Sequence, residues 1–197
     1  MKRLGVNIDH IATVRNARGE NHPDPYHASL QVVKMGADSV TIHLREDRRH
    51  INDLDAKKIC KTKKVLVNLE ISMNDKIVNN ALKIKPDYVC IVPERREERT
   101  TEGGLNIKDG YDHLYRATQT LTEKGSRVSL FVAPDLKDID LAKKMGAPVI
   151  EIHTGSYADA EDEDTKHKEL QRVKEAVAHA LSLGLVVNAG HGLHYHN

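Results

Sequence analysis

The chain reads Lys-Met-Gly-Ala-Asp-Ser-Val-Thr-Ile-His-Leu over residues 34–44 and Lys-Met-Gly-Ala-Pro-Val-Ile-Glu-Ile-His-Thr over residues 144–154. In both copies a glycine that ends a helical pattern is followed by a short β-branched run. One helix–turn–strand unit used twice is typical of a (β/α) barrel, whereas an open doubly wound sheet requires no such equivalence. The repeat therefore predicts parallel strands joined by crossover helices.

The rest of the chain continues this alternation of short strands and helical patterns. A dinucleotide-binding glycine fingerprint is absent after the first strand, where residues 9–12 read Asp-His-Ile-Ala. We therefore predict a single domain over residues 1–197, an α/β fold of the TIM-type (β/α)8 barrel class. The predicted strands lie roughly at 3–9, 38–44, 64–70, 87–92, 127–133, 148–153 and 185–188.

These seven strands are one fewer than the eight that a closed barrel of this type needs. Residues 191–197, after the last strand, read as a loop, His-Gly-Leu-His-Tyr-His-Asn. We therefore expect a barrel that is truncated after the seventh strand, with the eighth βα unit missing. Such a chain would leave the first and last strands with unpaired edges.

Composition excludes several classes of protein. The 197 residues are 39% hydrophobic and 30% charged, which is enough to bury a core. Thirty Lys and Arg against 29 Asp and Glu give a net charge of +1, which argues against nucleic-acid or membrane partners. Two cysteines without metal-ligand spacing are typical of a reduced, cytoplasmic protein. Twelve histidines stand out in a chain without tryptophan.

Polar residues occur at the carboxyl ends of several predicted strands. Residues two apart share one face of a strand, and strand ends converge at one rim of a parallel barrel. Acids, bases and histidines gathered there would form a proton-transfer site, although any one of them could instead be a buried polar residue bonded to backbone. The pairs are Asn7 with Asp9, Thr41 with His43, Asn68 with Glu70, and Glu151 with His153.

Three segments are candidates for binding or covering an anionic substrate. Arg45 and His50 directly follow the second strand, where arginine offers a fixed fork of donors for phosphate or carboxylate. Arg15 and Arg18 lie in what reads as a long loop and could close over an anion. Residues 93–104 are highly charged and end in two glycines, which indicates a mobile lid. Ordinary solvated surface is the alternative for all three segments.

The last seven residues contain three histidines in the spacing His-x-x-His-x-His. His191, His194 and His196 could bind a metal together with Glu70 or Glu151. However, they lie in a glycine-bearing loop and no cysteine joins them. We therefore predict no metal, and interpret His191, between two glycines, as a general acid on a tight turn.

The chain resembles the pyridoxine 5′-phosphate synthase family, the PdxJ family, in ordered motifs over its whole length. The motifs are Gly-Val-Asn-Ile-Asp-His-Ile-Ala-Thr at 5–13, Arg-Asn-Ala-Arg-Gly at 15–19, His-Leu-Arg-Glu-Asp-Arg-Arg-His-Ile at 43–51, Asn-Leu-Glu at 68–70, Thr-Thr-Glu-Gly-Gly at 100–104, Glu-Ile-His-Thr-Gly at 151–155 and Val-Asn-Ala-Gly-His-Gly-Leu at 187–193.

The resemblance implies a barrel enzyme without metal or organic cofactor, assembled as a homo-oligomer, an octamer. It implies condensation of 3-amino-2-oxopropyl phosphate with 1-deoxy-D-xylulose 5-phosphate to give pyridoxine 5′-phosphate, phosphate and water. The implied proton acceptors are His43 and Glu70, the donor is His191, and Glu151 stabilises the transition state. The implied contacts are Asn7, Arg18 and Gly192 to the amino-ketone phosphate, and Asp9, His10, Arg45, His50 and Thr100 to the deoxyxylulose phosphate.

The sequence departs from the family after residue 193. The family continues into an eighth strand whose Gly-His turn binds the amino-ketone phosphate, and this sequence has no counterpart. We expect the chain to keep its proton-transfer groups and to lack half of one phosphate site. Two rival functions stay open: an inactive or weakly ligand-binding fragment of the enzyme, and a metal-dependent barrel lyase or hydrolase.

Overall fold

The computed structural model describes residues 2–197. Short strands are connected by helices along this range, with two helices in succession after the first strand and after the sixth. In chain order the elements are β1 (Gly5–Asn7), α1 (Asp9–Arg18), α2 (Pro25–Lys34), β2 (Ser39–His43), α3 (Asp53–Lys61), β3 (Val67–Ile71), α4 (Asp75–Ile84), β4 (Tyr88–Ile91), a 3-10 turn (Arg96–Glu98), α5 (Tyr111–Glu123), β5 (Arg127–Val132), α6 (Leu136–Lys144), β6 (Val149–His153), α7 (Gly155–Ala158), α8 (Glu163–Ser182) and β7 (Val186–Gly190).

The strands form one sheet in which neighbours follow the order of the sequence, β1 to β7. The pairings of β1 with β2, β2 with β3, β5 with β6 and β6 with β7 are parallel. Parallel strands in sequence order with helical connections are compatible with a TIM-type fold. The predicted parallel α/β sheet is therefore confirmed, and each predicted strand overlaps an observed one.

The chain divides into two compact units: residues up to Cys90 with Leu121–Arg127, and Ile91–Thr120 with Val128–Asn197. In the first unit, β2 and β3 alternate between buried apolar and half-buried polar residues. Val40 and Ile42 are fully buried, while Thr41 and His43 lie on the opposite face. This alternation sends the polar side chains of both strands to one face of the sheet.

The second unit repeats the arrangement on β6. Ile150 and Ile152 are fully buried, while Glu151 and His153 share the other face. The backbone N–H of Leu105 donates to the carbonyl of Phe131 at 2.9 Å, so the segment before α5 is tied to β5. Both units therefore place acids and histidines on the less buried face of their strands.

The prediction of a long loop after the first strand is wrong, because residues 9–18 form α1. The helix buries Ala12 and Arg15, three residues apart, and ends at Gly19 with a φ of 66°. Arg15 occupies a core-facing position because Asp55 accepts from both of its terminal nitrogens, at 2.7 and 2.8 Å. A charged residue thus fills an apolar position of the helical pattern. Arg15 therefore does not close over an anion.

The strand prediction around Asp9 also needs correction. Asp9 is the first residue of α1 and does not continue β1. Its side chain nevertheless faces Asn7, since Asn7 Nδ2 donates to Asp9 Oδ2 at 2.9 Å.

No helix within residues 2–197 combines the length and apolar character needed to cross a membrane.

Candidate active site

The first unit gathers the polar residues that we call the Asp9 cluster: Asn7, Asp9, His43 and Glu70. His43 and Glu70 lie directly opposite each other in neighbouring strands β2 and β3. His43 Nδ1 is 3.6 Å from Glu70 Oε2, and both side chains are mostly buried. Asp9, His43 and Glu70 each offer one oxygen or nitrogen atom within 4.8 Å of the others. Here the predicted meeting of strand-end acids and bases is observed.

Asp9 holds this cluster together. It is 6% exposed, and its Oδ1 accepts a hydrogen bond from the backbone N–H of His43 at 2.8 Å. Asn7 Oδ1 accepts from the backbone N–H of Asp9 at 2.8 Å, in addition to the side-chain contact between the two. Sequence reasoning missed this function of Asp9. The only signal was an Asn and an Asp two residues apart at a strand end.

The same three ligand atoms raise the question of a metal. Two carboxylates and an imidazole are suitable ligands for a divalent cation. However, both carboxylate oxygens of Asp9 already accept hydrogen bonds, from His43 N–H and from the Asn7 amide. Each of these oxygens keeps a second lone pair, so two carboxylates and an imidazole placed this closely can serve either proton transfer or cation binding.

The three histidines at the end of the chain do not form a comparable group. Within residues 2–197, Asp9, His43 and Glu70 are the only three ligand-type side chains whose atoms cluster this closely. The His194 and His196 rings lie 5.8 Å apart and are exposed. Their spacing in the sequence therefore does not bring three ligand atoms close together among the described residues.

The candidate anion-binding segment follows β2. His50 Nδ1 lies 2.7 Å from Thr13 Oγ1 of α1, and Asn16 of α1 donates to the carbonyls of Arg49 and His50. These contacts fix the segment against α1. Arg45 is partly buried, with Nε 3.4 Å from Asp47 Oδ1.

The protonation of His50 is set by its surroundings. Burial lowers the pKa of His50 most strongly, and the positive charge of Arg45 and the nearby His10 and Arg49 lower it further. The carboxylate of Asp9 partly opposes them. The imidazole of His50 is therefore uncharged at neutral pH and can donate one hydrogen bond through its N–H group.

Two other predicted substrate contacts of the first unit are exposed. The His10 ring lies 5.8 Å from that of His50, so these two residues are neighbours. Arg18, the last residue of α1, is exposed and contacts the Glu20 carboxylate at 3.1 Å. A surface ion pair of this kind is weak, so Arg18 can exchange Glu20 for another anion.

The second unit carries what we call the His191 cluster: Glu151, His153, Thr154 and His191. Glu151 and His153 share one face of β6, opposite Asn188 and Gly190 of β7. The Glu151 carboxylate fills the space beside Gly190, where an added Cβ would lie 2.7 Å from Glu151 Oε1. His191 follows directly and has a φ of 80°, which is uncommon for a residue other than glycine.

The imidazoles of His153 and His191 are stacked. Their centroids lie 4.9 Å apart with 28° between the planes, and the Phe131 ring meets His153 edge-on at 5.2 Å. Burial lowers the pKa of His153, and the neighbouring His191 lowers it further, while Asp159 and Glu102 oppose both. His153 is therefore uncharged at neutral pH.

Thr100 and Gly192 complete the predicted set. The Thr100 N–H donates to the Gly104 carbonyl at 2.8 Å, but its buried hydroxyl has no hydrogen-bond partner among residues 2–197. Gly192 has a φ of 78°, and a Cβ there would lie 2.5 Å from the Ala158 side chain. The Thr100 hydroxyl is therefore left without a partner among the described residues, and Gly192 occupies a position that has no room for a side chain.

Solved structures share the fold at low sequence identity. An HMG-CoA lyase from Brucella melitensis superposes with a TM-score of 0.63 and 10% identity, over 96% of this chain and 81% of its own. A D-psicose 3-epimerase from Clostridium cellulolyticum gives a TM-score of 0.53 and 11% identity, over 95% and 84%. At such identities the likeness concerns the fold alone.

Proteins related to this chain by sequence have a much higher identity to it than these solved structures do. A pyridoxine 5′-phosphate synthase of Pseudoalteromonas translucida is 54% identical over 194 residues, which are 98% of this chain and 80% of the relative. The enzyme of the same name from Aliivibrio fischeri is 54% identical with the same coverage. The family model for the pyridoxal phosphate biosynthesis protein PdxJ matches residues 4–197. With nearly every residue covered by that model, the chain belongs to the PdxJ family.

Proposed function

We propose that this chain is an enzyme of vitamin B6 biosynthesis, a pyridoxine 5′-phosphate synthase. It condenses 3-amino-2-oxopropyl phosphate with 1-deoxy-D-xylulose 5-phosphate and releases phosphate and water. Family membership and the shared name of relatives at 54% identity support this function. The structural observation that carries it is the pairing of His43 with Glu70, two potential bases 3.6 Å apart on neighbouring strands.

The reaction requires several proton transfers. Joining an amine to a ketone, eliminating phosphate and water, and closing an aromatic ring each remove or deliver protons. We assign proton acceptance to His43 and Glu70, proton donation to His191, and stabilisation of developing charge to Glu151. The hydrogen bond from His43 N–H to buried Asp9 supports the first assignment, because it fixes the backbone of a catalytic base.

The two substrates both carry phosphate. We assign recognition of the amino-ketone phosphate to Asn7, Arg18 and Gly192, and of the deoxyxylulose phosphate to Asp9, His10, Arg45, His50 and Thr100. The anchored segment of Arg45 and His50 and the unpartnered Thr100 hydroxyl support these assignments. Residues 93–104 act in this proposal as a lid over the reaction.

The finer fold assignment is a (β/α)8 barrel in which an eighth βα unit would follow β7. The matched region spans 80% of the relatives, which leaves a fifth of their length without a match in this chain. We also propose a homo-octamer, from the family resemblance, and a cytoplasmic location, which suits two buried free cysteines. Light scattering of the purified protein tests the octamer.

The function is tested with both substrates, each substrate alone, and both substrates after exhaustive chelation. We expect pyridoxine 5′-phosphate and phosphate in equal amounts only when both substrates are present, with no effect of the chelator. The same assay is run on a chain extended by the part of the Pseudoalteromonas translucida relative that has no match in this sequence.

Each outcome separates one alternative. Product from the extended chain alone would identify residues 1–197 as an inactive fragment of the same enzyme. Loss of turnover on chelation would favour a metal-dependent lyase, with Asp9, His43 and Glu70 as ligands. The proposed function would be wrong if neither chain formed product.

A further inference from the structure

His153 lies beside the proposed proton donor, yet the reaction as assigned gives it no part. It is the last residue of β6 and its side chain is partly buried. Its Nδ1 atom is buried and has no hydrogen-bond partner among residues 2–197. An aliphatic side chain would pack here without leaving a nitrogen unpaired, so packing alone does not explain a histidine.

The ring of His153 is confined on several sides. An added Cβ at Gly155 would lie 2.5 Å from His153 Cε1, and one at Gly103 would lie 3.1 Å from Cε1 and Nε2. The edge-on Phe131 ring closes a further side, at an angle of 89°. The imidazole of His153 therefore fits only because residues 103 and 155 are glycines, and the ring has little room to rotate.

His191 is held from two directions by the consecutive residues His153 and Thr154. The stacked face of His153 lies against its ring, 4.9 Å between centroids. The buried Thr154 hydroxyl lies 2.6 Å from the Gly190 carbonyl and 2.7 Å from that of His191 itself. The backbone N–H of Thr154 also donates to Gly190 at 3.0 Å. These contacts maintain the unusual φ of His191.

We propose that His153 is a positioning residue whose confined, stacked ring fixes the plane of the His191 imidazole and so the direction in which His191 delivers its proton. This inference rests on the proposed function, in which His191 is the donor. The charge state of His153 fits the role, because an uncharged ring does not repel an imidazolium stacked on it. The orientation of a proton donor strongly affects the reaction rate, because small displacements of reacting groups lower that rate by large factors.

Two substitutions separate orientation from packing. His153→Leu keeps a similar volume but removes the flat face, whereas His153→Asn keeps a planar, non-titrating group at the same carbon. We expect His153→Leu to lower kcat by about tenfold to a hundredfold with KM for both substrates within about twofold, and His153→Asn to recover part of the loss. His167→Leu, an exposed histidine of α8, is the matched control and keeps wild-type kcat.

A second measurement does not depend on turnover. The His191 Cε1 proton resonance in the free enzyme reports the stacked ring through its ring-current shift, with assignment by a His191→Gln variant. We expect this resonance to move toward its unstacked position in His153→Leu and less so in His153→Asn. Circular dichroism checks that each variant is folded, and His153→Asn carries the test if His153→Leu is not.

The two measurements separate a failure of the positioning role from a failure of the proposed function. Wild-type kcat in both variants, or a His191 resonance that does not move, would overturn the positioning role. If neither the wild-type chain nor the extended chain forms product, the proposed function fails, and the resonance alone then decides whether His153 orients His191.

Discussion

In the Asp9 cluster the side chains are connected by hydrogen bonds, whereas in the His191 cluster the two imidazole rings are held mainly by packing. Asp9 bonds to the His43 backbone and to Asn7 within 2.9 Å, and α1 behind it is anchored by the ion pair of Arg15 and Asp55. In the other cluster, Gly103 and Gly155 leave the space that the His153 ring fills.

The difference determines how each cluster can fail. A hydrogen-bonded cluster fails when a polar atom is removed, because its buried partner is left unsatisfied. A cluster held by shape fails when an atom is added, because a packed interior cannot make room without strain. Substitutions that remove atoms from the first cluster and add atoms near the second therefore test the comparison.

The largest expected effect is chemical and concerns Glu70. Glu70→Gln keeps the shape of the side chain but cannot accept a proton at neutral pH, so we expect kcat to fall by about 10²–10⁴-fold. Glu163→Gln, at an exposed position of α8, is the control and leaves kcat unchanged. Near wild-type kcat in Glu70→Gln would remove Glu70 from the proton-transfer group.

The next effect concerns the anchor of α1. Asp55→Ala leaves the buried Arg15 guanidinium without its partner. It also removes the carboxylate that accepts a hydrogen bond from the backbone N–H of Asn52. We therefore expect the free energy of unfolding to fall by about 3–5 kcal/mol. Asp53→Ala, in the same first turn of α3 but half-exposed, should cost less than about 1 kcal/mol. Urea unfolding measures both, and equal losses would contradict a special role for the buried pair.

A smaller effect is expected from adding one methyl group to the second unit. A Cβ at Gly104 would lie 2.1 Å from the backbone nitrogen of Ala133, so Gly104→Ala should cost about 1–3 kcal/mol or more. Gly184→Ala meets no atom within 4 Å and tests only the positive φ of 73° there, for about 1 kcal/mol. If Gly184→Ala proved the more destabilising, backbone conformation and not shape would dominate in this unit.

The smallest effect is a pH dependence shared by both units. His50 and His153 have lowered pKa values in the folded protein, so both are neutral in either state above about pH 7 and contribute nothing there. As the pH falls below the unfolded pKa of about 6.5, the unfolded chain takes up protons first and the folded state loses stability. The loss is at most about 1.4 kcal/mol per pH unit for each histidine, until its folded pKa is reached.

Unfolding free energies of His50→Gln and His153→Asn between pH 7 and pH 5 measure these contributions separately. Each variant should show a shallower loss of stability with acidification than the wild type. An unchanged slope in both would mean that neither histidine is held neutral by the fold.

Short Val- and Ile-rich runs predicted the strands, and the alternation of side chains along them buries Val40 and Ile42 on one face. The same alternation placed His43 and Glu70 on one face, and their pairing across β2 and β3 follows from parallel neighbours. The prediction failed at α1, where buried Arg15 interrupts the apolar pattern of the helix. Only its distant partner Asp55 makes such a position possible, and 40 residues of separation leave no local signal.

By itself, the sequence determined the order of the strands, the shared faces of Thr41 with His43 and of Glu151 with His153, and membership of the family, since these depend on short-range patterns and on motif identity. The tertiary structure alone decided that Asp9 bonds to the His43 backbone and that His153 stacks on His191. Such contacts join residues 34 and 38 positions apart in the chain and depend on ångström-scale placement, which no local pattern of residues encodes.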